Sequence, residues 1–431
     1  MKGRPDDFWR MLAAALLIFL TAGPAGCRYL SIPAQDDAAV IPLRTEGKSA
    51  PAAYNSAVIK GRVTGPGWKG NSTLILACSS ADQKSGCTEY TATGVNQDTF
   101  MLYLPEGLYR LLAVTDYNHD GKYEKNELSG VYGSPRQALE ITVREAELIT
   151  GVEIRTAASD ERPVRLSREF SWKIEGPVIR QATGNGDILK IYHEYFSLEN
   201  AQIGYWNPSS FMKMFGAHIY LTQAYDPRKI PLLFVHGTEG SPQNWIYFYM
   251  RLDRDRYQPW FFYYPSGIRL NLAAALLQEE LRELHEQYGF RKTALAAHSV
   301  GGLTARSYLT RHKSEGIPGF IRLFTSFATP WNGFGLADAS QVLPHKSIPV
   351  WLDLGTQSEF ISATMNAKLP SSVRHHLFYG REDKLTGGAR PDRRAAAGAA
   401  GVYGFDCTHD GILIDRRVFA QFKIILEKEM N

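Results

Sequence analysis

Ser299 lies in the run Ala297-His298-Ser299-Val300-Gly301-Gly302, where an apolar stretch from Ala294 to Ala297 gives way to a helical pattern from Gly302 to Arg311. A serine at such a junction is presented at the end of a strand, and the small residues around it permit the crowding of a sharp strand-to-helix turn. Its hydroxyl is a poor nucleophile until an imidazole takes the proton, and the imidazole needs a carboxylate to fix its tautomer. Both residue types follow in the last quarter of the chain. His409 sits in Asp406-Cys407-Thr408-His409-Asp410-Gly411-Ile412-Leu413, and Asp353, Glu382, Asp383, Asp392, Asp406 and Asp410 are the carboxylates within range. Such a set could carry acyl transfer.

Taken together these segments resemble the α/β-hydrolase superfamily, in its lipase- and esterase-like members. Ala297 to Gly302 is similar to the A-H-S-x-G-G form of the nucleophile elbow, with alanine where glycine is commoner in the first small position. Phe234-Val235-His236-Gly237-Thr238 resembles the H-G oxyanion loop, and Thr329-Pro330-Trp331-Asn332-Gly333 the T-P-x-x-G stretch. The likeness covers about Ile219 to Met430. It implies the chain order Ser, acid, His, hence Ser299 as nucleophile, Asp383 after the apolar run ending Tyr379-Gly380 as acid, and His409 as base. His409 is also the only histidine beyond Asp383. The backbone N–H groups of Thr238 and Val300 are the implied oxyanion donors, with His236 ordering its loop. No cofactor is implied. The expected reaction is hydrolysis of a carboxylic ester, small or lipid-like, through an acyl-enzyme; an amidase or thioesterase would use the same triad. A surface binding protein with a degenerate hydrolase domain is the rival outside enzymes, and a missing Ser, His or acid would favour it.

The elements that must position these groups can be read from periodicity. Apolar strands at Ile230 to Val235, Trp260 to Tyr264, Ala294 to Ala297, Ile321 to Phe327 and Leu377 to Tyr379 alternate with helical patterns at Pro242 to Leu252, Leu270 to Tyr288, Gly302 to Arg311 and Arg416 to Lys428. That alternation predicts a mostly parallel sheet with helices on both faces. Between Trp331 and His375 an insertion carries Trp331, Phe334, Leu336, Trp351, Leu352, Leu354, Phe360 and Met365, the makings of a cap or of a packed edge. Ahead of this domain, short alternating segments from Ala57 onward suit a small all-β sandwich. Leu104 to Arg110 resembles the tight hairpin of carboxypeptidase-regulatory or transthyretin-like β-domains. The expected organisation is a leader over 1–27, a tether over 28–56, a β-sandwich over 57–158 and a hydrolase domain over 159–431 with a cap at 331–375.

In the leader, Lys2, Arg4 and Arg10 precede an apolar run from Met11 to Leu20, too short to span a bilayer comfortably. Gly23-Pro24-Ala25-Gly26-Cys27 resembles a bacterial lipobox, with Pro24 where an aliphatic residue is usual, and implies lipidation at Cys27. The expected location is the cell envelope, on the periplasmic side of the outer membrane, since Arg28 rather than Asp follows the cysteine. In an oxidising compartment Cys78 and Cys87, flanking a polar loop, are a candidate disulfide. A net charge of +4 over 431 residues implies no nucleic-acid partner, since binding a polyanion needs clustered Lys and Arg and a much stronger balance. Asp116-Tyr117-Asn118-His119-Asp120-Gly121 with Glu127 fits the D-x-N-x-D-G-x5-E calcium loop. Its liganding set would be Asp116, Asn118, Asp120 and Glu127 around a structural calcium; the alternative is a metal-free hairpin loop. Arg381, Lys384, Arg390, Arg393 and Arg394 read as a solvated basic loop.

Overall fold

Seven strands share one sheet, in the spatial order His218–Leu221, Tyr257–Tyr263, Ile230–Val235, Thr293–His298, Ile321–Phe327, Arg374–Gly380 and Gly401–Phe405. The first neighbouring pair is antiparallel and every later one is parallel. Ile230–Val235 and Thr293–His298 are buried along their whole length, as the centre of a parallel sheet must be. Successive residues serve opposite faces. Leu233, Val235, Leu295 and Ala297 pack with residues of the helices Leu270–Tyr288 and Val300–Arg311, while Leu232, Phe234, Ala294 and Ala296 pack with Ile246–Arg251 and Arg416–Glu429. At roughly 1.5–3 kcal/mol for each large apolar side chain buried, the two faces together hold the sheet rigid. This is the α/β-hydrolase fold, reached from strand order and helix placement.

The computed structural model describes residues 56–431 apart from 81–86, 135–136, 162–163, 165–169, 173–177, 179, 182, 312–318, 342–346, 387–390 and 392. The leader, Cys27 and the tether fall outside the described residues, as do Arg390 and Asp392. Among the described residues no helix is long and apolar enough to cross a membrane.

Residues 51–431 form one compact unit. In its first part, Ser56–Thr64 lies between Leu148–Arg155 and Thr99–Pro105, and a second sheet runs Arg180–Gln181, Cys87–Thr93, Ser72–Ser79, Gly107–Asp116, Leu128–Val131. Ile59, Phe100, Leu102 and Ile154 of the first meet Ile75, Ala77, Leu111 and Ala113 of the second in a shared core. Val58, Met101 and Tyr103 point the other way and join the core that contains the helix Leu270–Tyr288. Cys78 and Cys87 are joined by a disulfide. The Leu104 to Arg110 hairpin is not formed. Thr99–Pro105 pairs with Ser56–Thr64 and Gly107–Asp116 with Ser72–Ser79, so the turn at Glu106 carries the chain from one sheet to the other. A turn-rich sequence fixes a reversal; which strand each arm then meets is decided by the apolar faces to be covered.

Two strands of the main sheet escape a reading by periodicity. His218–Leu221 has four residues, and Gly401–Phe405 carries two glycines, so neither gives an alternation long enough to register. In the insertion, the helices Pro349–Leu354 and Glu359–Asn366 follow a 3-10 turn at Gly335–Gln341. Trp331, Leu354, Phe360 and Met365 enter the core, Phe334 and Trp351 lean on it, and Leu336 stays exposed.

Candidate active site

Ser299 begins where the strand Thr293–His298 meets the helix Val300–Arg311, and its φ of +54° is one that a residue with a Cβ rarely adopts. Its surroundings hold it there. The Ser299 N–H donates to the Phe327 carbonyl at 2.8 Å, and the Gly302 N–H to the Ser299 carbonyl at 3.0 Å. Glycine is required at 301 and 302, since a Cβ would come within 2.4 Å of the His236 carbonyl oxygen at the first and 1.9 Å of Thr329 Oγ1 at the second. Gly237 is equally constrained, its Cβ position lying 2.6 Å from Ser299 Cβ. The Gly237-Thr238 backbone therefore lies directly against the nucleophile. Ala297 is fully buried between Val235 and Ser326, so alanine fills the place where glycine is commoner without disturbing the sheet.

The structure brings together the three side chains the sequence singles out. His409 Nε2 is 2.9 Å from Ser299 Oγ, and His409 Nδ1 is 2.9 Å from Asp383 Oδ2. With the Nδ1–H donating to the carboxylate, Nε2 is left to accept the serine proton. Asp383 also accepts from the Leu385 and Thr386 N–H groups at 2.9 and 3.1 Å and from Thr386 Oγ1 at 2.8 Å. Burial opposes its charge, but the His409 and Thr386 hydrogen bonds outweigh that and hold its carboxyl below the usual range. Close approach of Gly380 to the Cys407 carbonyl locks the acid's strand against the histidine loop. Ser299, His409 and Asp383 are all buried.

Among the described residues, the other carboxylates are engaged elsewhere or face solvent. Asp353 pairs with Arg269 at 2.8 Å and accepts from the Leu270 N–H, which anchors a helix start. Asp406 pairs with Arg381 on the surface, and Asp410 is exposed. Asp410 does share a space with His298 and His409, their ligand-capable atoms lying within 4.8 Å of one another. Among the described residues this is the one grouping of three such side chains within that distance. In the loop from Asp116 to Glu127 the side-chain oxygens accept backbone N–H groups. Asp116 takes those of Asp120 and Gly121, Asn118 that of Asp120, Asp120 that of Lys122, and Glu127 those of Tyr117 and Glu124.

Among the described residues neither the Thr238 nor the Val300 N–H has a hydrogen-bond partner. Two uncommitted donors thus flank Ser299, as an oxyanion needs. His236 stacks on Tyr264 at 4.5 Å, and its Nδ1 lies 2.8 Å from the Gly237 carbonyl oxygen; burial pushes its pKa down to about 4, so it is neutral and orders the loop. His298 is likewise pushed down to about 4, by burial and by His409 beside it. Burial pushes the Cys407 thiol up to about 11, leaving a non-nucleophilic buried group. A cleft of about 560 Å³ opens between Lys60–Arg62 and the helix Leu270–Tyr288, with no triad residue in its wall. Chemistry here follows the hydrogen-bonded side chains and not that opening. Glu239, Ser266 and Trp206, which support the Thr238 turn, were not legible in the sequence; a glutamate at positive φ has no local signature.

No protein-family model and no curated protein matches the chain. Several solved structures resemble it. The mature Bacillus licheniformis lipase BlEst2 is 20% identical over 48% of this chain and 94% of its own, with a TM-score of 0.38. Aspergillus fumigatus lipase B is 15% identical over 61% of this chain and 63% of its own, at 0.40. A Paleococcus ferrophilus monoacylglycerol lipase is 14% identical over 46% and 93%, at 0.36.

Proposed function

We propose that the protein is a serine hydrolase that cleaves carboxylic esters through an acyl-enzyme on Ser299. The hydrogen-bonded chain Ser299–His409–Asp383, with the serine in an elbow, is the observation that carries this reading. His409 Nε2 takes the Ser299 proton as Oγ bonds to the carbonyl carbon. The carbonyl oxygen becomes an oxyanion and is held by the Thr238 and Val300 N–H groups. Collapse breaks the bond to the alcohol oxygen, which leaves with the proton from His409. A water molecule, deprotonated by the same nitrogen, then attacks the acyl carbon and restores the serine.

The segment after Thr329-Pro330 leaves the end of the strand beside Ser299 and keeps Leu336 exposed, with Phe334 and Trp351 partly so. That supports an apolar acyl group. Each buried methylene contributes about 0.8 kcal/mol, so kcat/KM should climb along a nitrophenyl-ester series from acetate until the site is full. Turnover confined to acetate, or to amides, would reject an apolar ester as substrate. The same reading has Cys27 lipidated and the enzyme held on a membrane of the cell envelope. Mass spectrometry of the mature N-terminus should find an acylated Cys27, and an unmodified one would remove the anchor.

A further inference from the structure

The turn that carries Thr238 holds a conformation its own sequence does not favour. The Gly240 N–H donates to the Gly237 carbonyl at 3.2 Å, closing a four-residue turn whose third residue, Glu239, has φ +50°. A type II turn requires a positive φ at that place, and glycine or asparagine normally supplies it. Glu239 has a Cβ, so the conformation persists only if contacts outside the turn hold it.

Those contacts exist. The Glu239 N–H donates to Ser266 Oγ at 3.0 Å. Its half-buried carboxylate accepts from Trp206 Nε1 at 3.1 Å and from the Gln202 side chain. Both partners lie on the helix Leu198–Trp206, and the Gly267 N–H donates to the Gly204 carbonyl at 3.0 Å, so the Ser266 loop is tied to the same helix. Glu239 is therefore fixed from its backbone and its side chain to a single supporting unit. Turning over the Thr238–Glu239 peptide, as a type I turn demands, would break the Ser266 bond and move the peptide next to the donor. The donor's own position is tight, because Gly237 already touches Ser299.

We propose, building on the hydrolase reading above, that Glu239 is the positioning residue of the oxyanion site: anchored to Trp206 and Ser266, it holds the 237–240 turn in the form that leaves the Thr238 N–H uncommitted beside Ser299. Glu239 does not touch the reacting atoms. Its effect is felt where charge develops on the substrate oxygen, in the transition state more than in the bound ester.

The test compares the wild-type chain with Glu239→Ala, Glu239→Gln and Trp206→Phe, using nitrophenyl butyrate and an alkyl trifluoromethyl ketone as a mimic of the tetrahedral adduct. Glu239→Ala should lower kcat about 10- to 100-fold with KM changed less than about twofold, and weaken the ketone by a matching factor. Glu239→Gln keeps an oxygen acceptor for Trp206 and should restore kcat to within a few-fold of wild type. Trp206→Phe, at a half-exposed surface position, should reproduce the direction of the alanine effect and serves if Glu239→Ala fails to fold. Wild-type kcat in Glu239→Ala, or equal loss in Glu239→Gln and Glu239→Ala, would overturn the proposal. A wild-type chain with no ester turnover would overturn the hydrolase reading and this proposal with it, a result distinct from an active enzyme indifferent to residue 239.

Discussion

Ser299, with its positive φ, illustrates how residue-scale strain is supported from outside: one hydrogen bond donated to the Phe327 carbonyl and two glycines that only close packing explains. The histidines tell a second story at this scale. His236 and His298 are pushed down to about 4 and His375 to about 3, burial being the first cause in each. Unfolded histidine titrates near 6.5. Between these values the unfolded chain binds protons that the native chain refuses, so their contribution to stability is whole above about pH 6.5 and is lost as pH falls toward 4. Asp383 adds a loss in the same direction at still lower pH, its native carboxyl being held below the unfolded value. Melting temperature followed by calorimetry should therefore fall on acidification from pH 7 to 4.5, each histidine steepening the loss by up to about 1.4 kcal/mol per pH unit. His375→Asn should flatten the profile, and a wild-type profile already flat over that range would refute the account of neutral buried imidazoles.

At the scale of elements, the helix Leu270–Tyr288 links the β-sheets to the hydrolase sheet. Lys60 Nζ reaches Glu280 at 2.5 Å and Glu283 at 2.7 Å, while His218 Nδ1 lies 2.8 Å from the other Glu280 oxygen. Arg269, just before this helix, pairs with Glu145. Burial works against the Lys60 ammonium, but the two carboxylates outweigh it and keep its pKa above the ordinary value. Removing Lys60 leaves the buried Glu280 carboxylate with His218 as its remaining partner. Lys60→Met should thus cost about 3–5 kcal/mol, and Lys60→Met with Glu280→Leu should recover much of it. Denaturant unfolding measures both; a single variant as stable as wild type would contradict the buried pair. None of this was visible in the sequence, where Lys60 is one polar residue in an alternating strand and Glu280 one of many charges on a long helix. The helix itself was legible to its last residue, because nineteen residues of amphipathic pattern end at Gly289, whose φ of +63° stops it.

Across the whole molecule, legibility followed the range of the interactions. The alternation of apolar strands and helices from Ile230 onward depends on local pattern, and it predicted the fold; the seven-stranded sheet adds only the short His218–Leu221 and the glycine-bearing Gly401–Phe405. Ser299, Asp383 and His409 stand 110 and 26 residues from their partners along the chain, yet Ser299 could be chosen from its motif and His409 as the last histidine, while Asp383 was preferred among several carboxylates only for its place after an apolar strand. Glu239, Trp206 and Ser266 have no such marks, and the turn between Pro105 and Gly107 showed a reversal without saying which strands it would serve. We propose Ser299 as the activated nucleophile. The most direct test is intact-mass measurement after exposure to an alkyl fluorophosphonate, with peptide mapping. One adduct is expected, on Ser299, absent from Ser299→Ala and formed at least about a thousandfold more slowly in His409→Ala. An adduct on another residue, or labelling that survives Ser299→Ala, would contradict it.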